Sequence, residues 1–289
     1  MTSPTSSTPA ASRPPARPAL DGTPAIDLVD VTKRFRTPSG DIYTALRELT
    51  FSVGRGEFMS VVGPTGCGKS TTLALISGLE PASGGEVRVM GERVVEADQR
   101  VGYVFQGDAL FPWKSVLGNV SAGLRFRGIA KHEARERARE WLARVGLSGF
   151  EDHYPHQLSG GMRKRTALAQ SLITSPEILL MDEPFSALDV QTRALMEDEL
   201  LDLWSATSAS VVFVTHDLEE AIALSDRVCV ITAGPGTVKG IYDIDLPRPR
   251  HVSEIRFEQR FVELYREIWS DLRDEVLVSY ERAKANADA

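Results

Sequence analysis

At 289 residues, 42% hydrophobic and 25% charged, the chain has the composition of an ordinary globular protein with ample length for a core. Its net charge of −7 argues against a general nucleic-acid surface. Two cysteines, Cys67 and Cys229, make neither a disulfide framework nor a metal cluster, and no apolar run approaches the roughly 20 residues that span a bilayer. A reducing, cytosolic setting is the default, and any membrane role must come through a partner.

Residues 1–24 are dominated by Ser, Thr, Pro and Ala and lack the apolar stretch of a signal peptide, which predicts a disordered leader. IDLVDV (26–31) alternates and predicts a strand. IYTAL (42–46) and LTFSV (49–53) predict two more, separated by polar turn residues. Phe35 follows the first strand, where an aromatic ring can either stack on a base or pack in the core.

FMSVVG (58–63) is apolar on both faces and predicts a buried strand that runs into a Gly-rich loop and then a helix. The loop, GPTGCGKS (63–70), fits the phosphate-binding pattern G-x-x-x-x-G-K-[ST]. Gly63, Gly66 and Gly68 let the loop, with Pro64, Thr65, Cys67 and Thr71, wrap closely, so that the backbone N–H groups of its non-proline residues face phosphate oxygens. Lys69 supplies a point charge to the β and γ phosphates, and the Ser70 hydroxyl is placed for Mg²⁺. Cys67 reads as a small filler of a free loop position.

EVRVMG (86–91) and VGYVFQ (101–106) predict short strands. Gln106 ends the second, where its amide can reach Mg²⁺ and a water. From 107 to about 175 the character is helical: 132–147 puts Ala134, Ala138, Trp141, Leu142 and Val145 on one face. Within this block Ser159, Gly160 and Gly161 open a helical run, the mark of a second anion site about ninety residues after the first.

Residues 177–183, 210–216 and 227–232 predict buried strands, with a helix over 190–204 between the first two. Strand and helix alternate, so the expected fold is α/β: a parallel, helix-covered sheet with the helical block inserted. ILLMDE ends in two carboxylates, Asp182 for Mg²⁺ and Glu183 as general base towards the attacking water. His216 ends the next strand, near the expected γ-phosphate. After 250, Phe257, Phe261, Leu264, Ile268 and Leu272 recur at helical spacing, which predicts a helical tail packed on the core or facing a partner.

The phosphate loop, Gln106, LSGGM, ILLMDEP, SALD (186–189) and His216, in this order, resemble the ATP-binding cassette (ABC) ATPases over residues 26 to 240. The resemblance implies a P-loop NTPase fold with a parallel core sheet, an antiparallel β subdomain and an inserted helical subdomain. The cassette would then occupy residues 25–250, with the inserted block at 107–175 and the tail at 251–289. It implies ATP and Mg²⁺ as cofactors and a head-to-tail pair of ATPases. There Ser159, Gly160 and Gly161 of one chain cover the ATP on its partner's loop, and Asp189 ends the loop that crosses between them.

Glu183 then falls at the catalytic base, His216 at the switch histidine, Phe35 at the adenine-stacking aromatic, and Gln106 where the site couples to a membrane permease. LSGGMR, ALFPWKSVLGNV (109–120), DEPFSALDVQTR and LPRPR resemble the branch that drives nitrate, sulfonate and taurine import. This implies a peripheral subunit on the cytoplasmic face of the membrane, working with a permease and an extracytoplasmic solute-binding protein, with no nucleic-acid partner. Met162 stands where the common signature has Gln, and Lys164 replaces the Gln usual in the branch. Gly107 and Asp108 also differ from the branch. An importer of another solute, an exporter, and a soluble ABC ATPase of DNA repair or translation are the alternatives. The last usually carries twin cassettes or long coiled-coil insertions, which this chain lacks.

Overall fold

The computed structural model describes residues 22–107 and 109–287. The predicted leader therefore lies outside the described residues as far as residue 21, and so does Asp108.

Two sheets organise the chain. The smaller is antiparallel, in the order β2 (Ile42–Val53), β1 (Ile26–Arg36), β4 (Gly84–Val89) and β5 (Glu92–Arg93). The larger runs β10 (Val238–Asp243), β9 (Arg227–Ile231), β3 (Phe58–Val62), β8 (Ser210–Thr215), β7 (Ile178–Asp182) and β6 (Val101–Val104). Its five inner and following strands are parallel, and β10 closes one edge antiparallel to β9.

Alternate residues of the buried strands feed two cores. Phe58, Leu179, Phe213 and their neighbours join Trp204 and the C-terminal helix on one face. Met59, Leu180, Val212 and theirs meet the smaller sheet on the other. This is the period-two geometry of a strand, with both faces covered by other layers. Helix α1 (Lys69–Ile76) follows β3 and belongs to the second core.

Between β6 and β7 the chain leaves the sheet for α2 (Val116–Val120), α3 (Ala122–Phe126), α4 (Lys131–Arg144) and α5 (Gly160–Leu172). These helices share a third apolar cluster around Val116, Ala138, Leu142 and Leu158. Helices α6 (Val190–Ser205) and α7 (Leu218–Leu224) link the later strands, and α8 (Val252–Ile255) and α9 (Gln259–Ala287) end the described chain.

Several expectations need correction. Residues 42–46 and 49–53 belong to one strand. Glu48 takes a left-handed conformation (φ 47°) inside β2, so the chain shifts register against β1 without leaving it. Phe35 lies within β1 and not after it. The larger sheet is parallel as expected apart from an antiparallel edge strand, β10, that was not foreseen. Phe257 is 86% exposed, while Val252 and Ile255 of α8 are buried with Phe261, Leu264, Ile268 and Leu272.

Candidate functional site

A cleft of about 530 Å³ opens where the two sheets meet. Its floor is the loop between β3 and the start of α1. Gly68 has φ 103°, and a Cβ there would lie 2.5 Å from a Leu46 methyl, so glycine alone permits the turn. Gly68 also brings no side chain to cap α1, which leaves the first-turn amides for an anion.

Thr65, Gly66, Gly68, Lys69, Ser70 and Thr71 line the cleft. Gly63, Pro64 and Cys67 do not. The Gly63 and Pro64 carbonyls accept from Lys69 Nζ at 2.8 and 3.0 Å, and the Cys67 thiol is buried. Burial raises that thiol above its ordinary value, against the pull of Lys69, so it is not a reactive thiolate.

Ser70 Oγ donates to Asp182 Oδ1 at 3.0 Å, which joins the loop to the end of β7. Burial pushes the Asp182 carboxyl up, and the Ser70 hydrogen bond partly opposes it. A buried carboxylate beside a hydroxyl suits a hard cation that takes oxygen ligands, so this pair fits Mg²⁺. The Tyr103 hydroxyl faces the same carboxylate, a contact that no sequence motif marked.

Glu183 follows directly. Its φ of 43° is strained for a residue with a Cβ, and two contacts hold it: its N–H donates to Val214 O (2.8 Å) and its carbonyl accepts from Ser186 Oγ (3.0 Å). This turn aims the carboxylate into the cleft. Gln106 Nε2 donates to Glu183 Oε2 at 3.3 Å, and His216 Nδ1 lies 3.1 Å from the same oxygen. Residues from the ends of three parallel strands thus meet on one carboxylate oxygen. Gln106 commits its Nε2 to Glu183, so Oε1 is the atom it can offer a cation.

On the opposite wall Phe35 and Tyr43 are cross-strand neighbours in the β1–β2 ladder, and both line the cleft. Lys33 Nζ sits 4.7 Å from the Phe35 ring centroid and is itself paired with Glu80 at 2.6 Å. Tyr43 was not foreseen. Its alternation with polar residues at the start of β2 reads as a strand and nothing more.

Ser159, Gly160, Gly161 and Asp189 are not among the residues that line this cleft. Ser159 caps α5 by accepting from Met162 N–H at 3.3 Å, and Asp189 caps α6 by accepting from Thr192 N–H at 2.9 Å. The two caps adjoin: a Cβ on Gly161 would stand 3.3 Å from the Thr192 methyl. Two links tie this surface back to the cleft. Lys164 Nζ donates to the Gln106 carbonyl at 2.7 Å. Arg193 donates to Leu188 O at 3.3 Å and pairs with Asp217, beside His216, at 3.2 Å.

A second groove, of about 390 Å³, separates the sheet from the helical block. Phe105, Phe111, Phe126 and Ala167 line it, and Phe126 is 74% exposed. Phe111 is a lining residue and Pro112 and Trp113 are not, although Trp113 is 72% exposed with its ring centroid 5.7 Å from that of Phe111. Buried Asn119 holds this bend, accepting from Phe111 N–H at 2.7 Å and donating to the Phe111, Lys114 and Ser115 carbonyls.

The sequence model of the ABC transporter family matches residues 46–186. An uncharacterized ABC transporter ATP-binding protein of Methanocaldococcus jannaschii is 47% identical over 88% of this chain and 93% of its own length. The chain belongs to the ABC transporter ATPase family. An aliphatic sulfonates import ATP-binding protein of Bacillus cereus is 38% identical over 81% of this ABC ATPase and 92% of its own length. Among solved structures, the post-hydrolysis dimer of an ATP-binding cassette with ADP and Pi aligns with a TM-score of 0.68. It is 33% identical, over 76% of this chain and 98% of that one. The protein is thus an ATPase with the ABC fold. Among the described residues no helix is long and apolar enough to cross a membrane.

Proposed function

We propose that this ABC ATPase drives an importer of a small anionic solute of the nitrate, sulfonate or taurine kind, through a separate permease. Gln106 and His216 converging on Glu183 at the mouth of the phosphate loop is the observation that carries the catalytic part. In this reading Lys69 and the α1 amides hold the β and γ phosphates, and Phe35 with Tyr43 takes the adenine. Ser70, Asp182 and Gln106 would hold Mg²⁺, which supplies charge neutralisation on the phosphate oxygens.

The Glu183 carboxylate accepts a proton from water as the water oxygen bonds to the γ-phosphorus. The bond between that phosphorus and the β–γ bridging oxygen breaks, and ADP leaves with the electron pair. His216 and Gln106 orient Glu183 and hold the reacting groups. Ser159, Gly160, Gly161 and Asp189 serve the cleft of a second ATPase subunit. This accounts for a capped anion-type helix start that lies away from the chain's own cleft.

The aromatic groove lies next to Gln106 along the chain and gives a cytoplasmic helix of the permease a place to dock. The solute class rests on the likeness to a sulfonate-import ATPase and on the branch motifs. The Glu183→Gln variant tests the mechanism: it should bind ATP and pair in an ATP-dependent way, yet lose at least about 100-fold in turnover. Wild-type turnover would remove Glu183 from the role of base.

A further inference from the structure

The β9–β10 turn, residues 232–237, lies between the phosphate loop and α9. On one side it meets the cleft. The Gly236 N–H donates to Ala45 O at 2.8 Å, and its carbonyl accepts from Arg47 N–H at 2.9 Å, which pins the turn to β2. A Cβ at Gly236 would lie 2.2 Å from the Cys67 carbonyl, so the turn touches the phosphate loop backbone to backbone. A Cβ at Gly234 would stand 3.7 Å from the Gly66 carbonyl and from the Tyr43 hydroxyl, and Gly66 and Tyr43 both line the cleft.

On the other side α9 grips the same turn. Glu275 Oε2 accepts from Ala233 N–H at 2.8 Å, and Oε1 pairs with Lys239 at 3.0 Å. Arg282 donates to the Gly234 carbonyl. These contacts come from the part of α9 beyond its core anchors, Phe261, Leu264, Ile268 and Leu272. The later turns therefore act on the β9–β10 turn without being needed to fix the helix to the core. The charge of Glu275 is also felt at Cys67, where it adds to the larger effect of burial in raising the thiol.

We propose that Glu275 and Arg282 are positioning residues for the nucleotide cleft: by holding the 232–237 turn against the phosphate loop they set how tightly the cleft takes a nucleoside triphosphate. The inference rests on the reading of the cleft as the ATP site. Its physical basis is pre-organisation. A turn held in place spares the bound state the entropy of ordering the loop beside it. Among the described residues no hydrogen bond or ion pair joins the turn to Glu183, Gln106 or His216, so the effect falls on binding and not on the chemical step.

The test uses the full chain with Glu275→Ala, Glu275→Gln and Arg282→Ala, and Lys69→Ala as reference. Fluorescent ATP-analogue binding and steady-state ATPase kinetics are measured, with Tm for the fold. Glu275→Ala should weaken binding and raise KM by about 3- to 10-fold with kcat within about twofold. Glu275→Gln, which still accepts from Ala233, should recover most of the affinity, and Arg282→Ala should shift KM in the same direction by less. An unchanged KM in Glu275→Ala and Arg282→Ala, whether or not Tm falls, overturns the proposal. Arg282 is exposed, so if Glu275→Ala does not fold, an unchanged KM in Arg282→Ala does so alone. Wild-type nucleotide binding by Lys69→Ala would instead overturn the reading of the cleft.

Discussion

Glu220 lies buried between Thr215, whose hydroxyl donates to it, and Glu197, within hydrogen-bonding reach. Burial holds both carboxyls above their ordinary value of 4.5. The Thr215 hydrogen bond opposes the rise at Glu220 while the Glu197 charge adds to it; at Glu197 Arg256 opposes the rise, as does the hydrogen bond with Glu220, and at both Asp217 adds to it and Arg193 opposes it. A carboxyl raised on folding stabilises fully below its unfolded value. That contribution is lost as pH rises through the folded value. The patch should therefore cost stability between about pH 5 and pH 8. Glu220→Gln keeps the acceptor for Thr215 and a donor for Glu197 but cannot ionise. Its Tm should exceed that of the wild type by a few degrees more at pH 8 than at pH 5. Thermal melts showing the same difference at both pH values would reject this account. At this scale the sequence shows residues that belong to a spaced pattern: Lys69, Ser70, Asp182, Glu183, Gln106 and His216 were all legible, and the fold brings them together. Tyr43, Tyr103, Lys164 and Arg193 were not. Each is a single polar or aromatic residue whose partner lies on another element, and no local pattern reports such a partner.

Helix α7 shows how an element depends on distant chain. Asp217 caps its start, accepting from Glu219 and Glu220 N–H at 2.9 and 3.3 Å. Its last carbonyls are closed from the LPRPR segment. Arg250 donates to Ile222, Ala223 and Ser225 at 3.4, 3.2 and 2.6 Å, and Arg248 to Leu224 at 2.7 Å. Arg250 also reaches Leu246 O at 2.9 Å and is buried. Arg250→Ala would strand several buried carbonyls at once and should cost about 2–4 kcal/mol in urea unfolding. Arg250→Lys should restore little, because one ammonium cannot span the fork. A loss below about 1 kcal/mol would show that water replaces the guanidinium. Elements with a clean period were read well: β3, β7, β8 and α6 lie within a residue or so of expectation. The failures came where periodicity is ambiguous. Glu48 made one bulged strand read as two, and Phe257 continued the helical spacing although the chain bends between α8 and α9.

At the scale of the whole molecule, the proposed function assigns the aromatic groove to a permease helix and the outlying α5 start to a second ATPase subunit. Purified from gently solubilised membranes, the protein should bring a polytopic permease, and a solute-binding protein once cross-linked. Recovery only from the soluble fraction, with ribosomal or DNA-repair proteins, would keep the ATPase and overturn the import reading. By itself the sequence determined the α/β class, the phosphate loop and the carboxylate pair, because these depend on local spacing: a glycine where the backbone must turn, apolar residues where a strand is buried on both faces. Tertiary structure decided the rest. It set the strand order 10-9-3-8-7-6, which brings Gln106, Glu183 and His216 to one oxygen. It paired Phe35 with Tyr43 on one wall of the cleft, and laid α9 against the turn that abuts the phosphate loop. Such contacts join residues tens to hundreds of positions apart, and only the packed chain selects which of them meet.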